Sequence, residues 1–290
     1  MAPLLLPFAA SLIYVLAALF IKKASVRGAG LLPTTVATNL IIGAAFSVLW
    51  VLGGRLPGPE AWIQPAVTAG LFVAGQLLAF VALQRGDVSV ATPVLGLKVV
   101  LVAFFVTRLL GERVPPAVWA AAGLSSAGIV LLGRGGGPAG SSGTGTALVF
   151  GGLAAASFAL FDVLVQKWAP SWGAGRFLPV TMGLVALFSL PLLALPSDPV
   201  PAAAWRPLLA GGLLGAFQAL LLISALALYA RATTINVVYS ARGLWSVGAV
   251  WVLGPWFGNR ERERGAAVFR ARLAGAALLL GAIVLVIAAR

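Results

Sequence analysis

The chain has 290 residues, 61% hydrophobic and 9% charged, with a mean hydropathy of +1.04 and a formal net charge of +13. A soluble domain needs roughly 25% charged residues to cover its surface, so most of this chain must be solvated by lipid. There is no cysteine and no histidine, which excludes disulfides, thiolate or imidazole metal sites and Ser-His catalysis.

Met1-Ala2-Pro3 lacks the basic segment of a cleaved leader, so the first apolar run is expected to be a permanent helix. Apolar runs between charged or Gly/Pro punctuation predict ten membrane-crossing helices. The first five cover 3–22, 33–53, 62–84, 88–110 and 115–133; the second five cover 144–167, 175–196, 205–229, 233–257 and 269–289. The cations are scattered over the short connections. They read as groups that face anionic lipid and set topology, with no nucleic-acid surface among them. Connections after odd-numbered helices hold eleven of them and the opposite side seven, which favours both termini outside.

The Gly/Ser-rich stretch from Arg134 to Gly143 divides the chain into two sets of five helices, 1–137 and 138–290. The halves resemble each other. Lys22 and Lys167 end their first helices, Gln76 and Gln218 lie inside their third, and Ala82-Leu83 corresponds to Ala227-Leu228. Lys98 and Arg242 stand midway along predicted helices 4 and 9. Copies with an odd number of spans enter the membrane in opposite directions, so the expected fold is all-α, two inverted five-helix repeats around a central cavity.

An ionisable group within a span costs several kcal/mol unless it meets water or a partner. Lys98 and Arg242 are the two such cations. On repeat-equivalent helices they are placed to converge on an anionic substrate group, or else to bind helix carbonyls or pair with Asp162. Asp162, the one acid well inside a helix, is a candidate proton or ion-pair site, with a local pair to Lys167 or Gln166 as the alternative. Gln76 and Gln218 either line the cavity or bond between helices. Asn236, Tyr239 and Arg242 follow at intervals of three and form one polar stripe that should face the interior. Tyr14, Asn39 and Ser240 are weaker candidates. Pro93 is expected to kink helix 4 one turn before Lys98. Gly211 and Gly215 form a GxxxG pair suited to close helix contact, and the tryptophans at predicted helix ends, Trp172 among them, read as an interfacial belt.

The stretch Ala82-Leu83-Gln84-Arg85-Gly86-Asp87-Val88-Ser89-Val90-Ala91-Thr92-Pro93, followed by Leu110-Gly111-Glu112-Arg113, resembles the EamA family of the drug/metabolite transporter superfamily. In the second half Gly258-Asn259-Arg260-Glu261 stands where a Gly-Glu pair is typical. The resemblance implies ten helices in inverted halves, a central cavity, alternating access and cytoplasmic termini, the last against the charge count. Plastid phosphate translocators of that superfamily hold an anion with central cations, which resembles the role given to Lys98 and Arg242.

The expected function is therefore secondary transport of a small organic anion or zwitterion, with a flippase for a phosphate-bearing lipid-linked substrate as the alternative. No enzyme activity and no cofactor are expected. The expected partners are the substrate and the bilayer of a bacterial inner membrane, with the chain a monomer or weak homodimer.

Overall fold

The computed structural model describes residues 2–85, 94–133, 144–245 and 266–288. Lipid offers the backbone no hydrogen bonds, so a spanning chain satisfies its amides within each segment as helix. The described residues accordingly hold helices and no strands. They form ten α-helices: α1 (Ala2–Val26), α2 (Leu31–Phe46), α3 (Ile63–Arg85), α4 (Lys98–Phe105), α5 (Pro116–Gly133), α6 (Thr144–Trp172), α7 (Ala174–Ser189), α8 (Ala202–Tyr229), α9 (Ala232–Tyr239) and α10 (Ala266–Ala288). Each falls within or across one predicted segment. Six stretches among the described residues are long and apolar enough to cross a membrane: 4–26, 31–52, 59–82, 148–172, 174–194 and 202–229. Within α5 and α10, Pro116–Leu131 and Leu273–Ala288 are apolar but shorter. The chain is an integral multi-pass membrane protein.

Predicted helix 4 is interrupted among its described residues. Val94 and Leu95 are helical, Gly96-Leu97 form a turn, α4 resumes at Lys98, and its end loosens into a π-helical turn over Val106–Leu110. Predicted helix 9 likewise breaks, at Ser240-Ala241. Pro93, the linker 134–143 and the Gly258–Glu261 stretch lie outside the described residues.

The helices sort into two compact units, each drawing on both halves of the sequence. The first comprises Met1–Val73 and Leu164–Ala230. In it α8 packs on α1 and α2. A β-carbon on Gly211 would lie 2.8 Å from the Ile21 side chain and 3.0 Å from its backbone nitrogen, and one on Gly212 would lie 2.6 Å from Ile41 Cδ1. A β-carbon on Gly215 would meet nothing within 4 Å, so the close-contact pair is Gly211-Gly212 and not the expected GxxxG. Trp172 also departs from expectation. It is fully buried, donates from Nε1 to Gln64 Oε1 at 2.9 Å, and meets the rings of Trp62 and Phe177 edge-on. An indole whose N–H finds a partner inside the fold has no need of the interface.

The second unit comprises Ala74–Val163 and Arg231–Arg290. Here α5 packs on α10 through two glycines, a β-carbon on Gly128 falling 2.8 Å from the Gly275 carbonyl. Gly75 of α3 sits against the ring of Phe158 on α6 at 3.0 Å by the same measure. Helix α9 packs among α4, α5 and α10, and every residue of it except Thr234 is buried.

Candidate functional site

Lys98, Asp162, Asn236, Tyr239, Arg242 and Gln76 all belong to the second unit, whereas Gln218 belongs to the first. Three of them meet directly. Lys98 Nζ lies 2.7 Å from Asp162 Oδ2, the side chains 18% and 3% exposed. Asn236 Nδ2 donates to the same oxygen at 2.7 Å and to the Ala232 carbonyl at 3.0 Å. Burying a lone carboxylate costs several kcal/mol, and an ammonium plus an amide N–H on one oxygen is the arrangement that offsets it. With both N–H groups committed, the Asn236 amide has one orientation. Flipping it would set Oδ1 against the carboxylate.

The partner of Asp162 is thus a residue of α4, and Lys98 carries its own counter-ion into the fold. The sequence left this open among several pairings. The predicted stripe on α9 is interior: Asn236 and Tyr239 are 2% and 5% exposed. Arg242 Nη1 donates to Tyr239 Oη at 3.3 Å while its guanidinium lies over the same ring, 4.7 Å from the centroid. This fixes a half-buried cation on a buried aromatic face.

Both cations follow a helix break directly. Gly96-Leu97 precedes Lys98 and Ser240-Ala241 precedes Arg242. The second break has a local cause. Ser240 Oγ lies 2.6 Å from the Val237 carbonyl, the acceptor that the Ala241 N–H would use in a continuous α-helix. That N–H bonds Val238 instead, at 3.1 Å, and the Gly243 N–H bonds Ser240. At the first break the Leu97 N–H turns to Val94, and Gly96 supplies the flexibility. Two further residues touch these breaks, and the sequence reading did not single them out. Ser126 Oγ donates to the Gly96 carbonyl at 3.1 Å, and Ser125 Oγ lies 3.2 Å from Ser240 Oγ. Their signal was a hydroxyl pair inside an otherwise apolar helix.

Gln76 is half-buried on α3 and has a partner within the fold, and Gln218 is 8% exposed on α8. Among the described residues no cluster of acidic side chains suits a metal ion. The buried ion pair with its oriented amide, and the guanidinium stacked on Tyr239, place charges of both signs within the second unit.

Residues 1–134, just under half of the chain, match the EamA-like transporter family, part of the drug/metabolite transporter superfamily. A solved structure titled only as the crystal structure of a protein matches with a TM-score of 0.75 and 22% identity. The match covers 98% of this chain and 95% of the other, which shows a shared fold. No curated protein sequence matches the chain.

Proposed function

We propose that the protein is a secondary transporter of ten membrane helices in two inverted repeats, 1–137 and 138–290, which moves a small zwitterion or organic anion by alternating access. It is not an enzyme in this reading, and a bacterial inner membrane is the proposed location. The EamA match supports transport, and the paired helix breaks before Lys98 and Arg242 support the repeat, because broken helices near a pseudo-two-fold axis are where such folds bind their cargo.

The observation that carries the substrate class is the Lys98–Asp162 pair. A pure anion drawn to Lys98 would leave Asp162 buried without a counter-ion. A zwitterion replaces both partners at once, its carboxylate taking Lys98 and its ammonium taking Asp162, so no buried charge is left alone. Arg242, held over Tyr239, supplies a second cation for the carboxylate and reads it with a fork of donors.

The test is counterflow in liposomes containing the purified full chain, screening soluble zwitterions, monocarboxylates and dicarboxylates. Saturable counterflow of a soluble zwitterion, lost in Arg242→Ala, is the expected result. Movement of phosphate-headed lipids alone would make the protein a flippase, and unsaturable flux would make it a channel; either outcome overturns the proposal.

A further inference from the structure

The two helix breaks are tied to one neighbouring helix by adjacent residues. Ser126 of α5 donates to Gly96, two residues before Lys98, and Ser125 meets Ser240, two residues before Arg242. The proton direction follows from chemistry. The Val237 carbonyl only accepts, so it takes the Ser240 proton, and the Ser125 hydroxyl must donate to Ser240. Ser125, Ser126 and Ser240 are 0%, 6% and 3% exposed, so water does not compete for these bonds.

The two halves are unequal at this point. Gly128 on α5 and Gly275 on α10 meet at the contact between these helices and set the register between the halves. Counting back from each, Ser125 and Ser126 correspond to Arg272 and Leu273. Likewise Gly96 corresponds to Ser240. Exchange the roles of the halves and neither bond survives. Ser126 to the Gly96 carbonyl becomes Leu273 to the Ser240 carbonyl, with no donor, and Ser125 to Ser240 becomes Arg272 to Gly96, which has no side chain. Leu273 is moreover 61% exposed where Ser126 is buried. Across its 23 residues α10 carries no hydroxyl and no side-chain amide.

We propose that Ser125-Ser126 is a state-specific clip. It fastens both broken helices in the conformation described here, has no counterpart when the repeats exchange roles, and so biases the resting protein toward this conformation. The inference rests on the inverted-repeat transporter reading. Each buried neutral hydrogen bond contributes a factor of roughly 5 to 10 to an equilibrium, so two give about thirtyfold.

The absence of cysteine makes the test direct, because a single introduced thiol is the only one in the chain. Ala241→Cys places it in the second break at a fully buried position. In oriented liposomes, a membrane-impermeant maleimide applied to either face reports the ratio of the two exposures. With Ser125→Ala/Ser126→Ala this ratio is expected to shift about thirtyfold. Leu273→Ser gives the other half a donor without touching the clip or the core, and is expected to shift the ratio the same way about fivefold. It carries the test if the double alanine variant fails to fold. A thiol reached from both faces, with a ratio that neither variant moves, overturns the clip and leaves the carrier intact. A thiol reached from one face alone in every variant overturns the carrier, and the clip with it.

Discussion

The Lys98 ammonium and the Asp162 carboxylate meet at 2.7 Å from different helices, the acid almost wholly enclosed. Removing either partner strands the other. Lys98→Met or Asp162→Leu alone should each destabilise the protein by about 3–5 kcal/mol, because one buried charge loses its counter-ion. The double variant Lys98→Met/Asp162→Leu should recover most of that loss while remaining inactive in transport. Thermal unfolding of the four proteins in detergent, analysed as a cycle, checks this. Additive losses in the double variant would mean that the two groups are not coupled in solution.

Arg242 has two holds on Tyr239, a hydrogen bond to the hydroxyl and a stack on the ring, and they separate by substitution. Tyr239→Phe keeps the ring and should weaken ligand binding modestly, by about 1 kcal/mol. Tyr239→Leu removes both and should cost about 2–3 kcal/mol. Arg242→Ala should abolish binding. Arg242→Lys should rescue it only in part, since an ammonium lacks the planar fork. Affinities of a counterflow substrate, measured calorimetrically across the series, give the order. Equal affinity in Tyr239→Phe and Tyr239→Leu would remove the stacking argument.

The helical character was legible because its cause is local: an apolar run in lipid satisfies its amides as helix. Each of the ten predicted segments contains an α-helix among the described residues, six of them long and apolar enough to cross a membrane. The ions were legible for the same reason, since Lys98, Asp162 and Arg242 stand out against apolar surroundings. Their partners were not. Helices that are apolar nearly all round carry no sign of which face meets which neighbour, so the Lys98–Asp162 pair, the Ser125–Ser240 contact and the burial of Trp172 depend on rotations the pattern leaves free. The break before Arg242 escaped for a subtler reason. Ser240 takes the Val237 carbonyl from the backbone, and a serine inside an apolar run can equally cap, bend or decorate a helix.

The glycines of α8 differ where pattern reading made them alike. Gly211→Ala would drive a methyl to within 3.0 Å of the Ile21 backbone nitrogen, which cannot move without shifting α1, and should destabilise by about 1–3 kcal/mol. Gly215→Ala meets nothing within 4 Å and removes a helix-weakening residue, so it should be neutral or stabilising by up to about 1 kcal/mol. Melting temperatures of the two single variants decide. Equal losses would restore Gly215 to the packing role.

Ala230 ends α8 in the left-handed region, at φ 48° and ψ 45°, with its N–H bonded to the Leu226 carbonyl. Among the described residues it is the one non-glycine with positive φ. The conformation crowds Cβ against the following carbonyl and costs about 1–2 kcal/mol that glycine avoids. Part of that gain is lost because glycine also frees the unfolded chain, by about 0.4–1 kcal/mol. Ala230→Gly should therefore raise stability by a net amount of about 0.5–1 kcal/mol, visible as a higher melting temperature with transport unchanged. The sign is the informative part. A lower melting temperature would mean that the α8–α9 connection relaxes out of the left-handed region, or that the methyl group packs usefully enough to outweigh its strain.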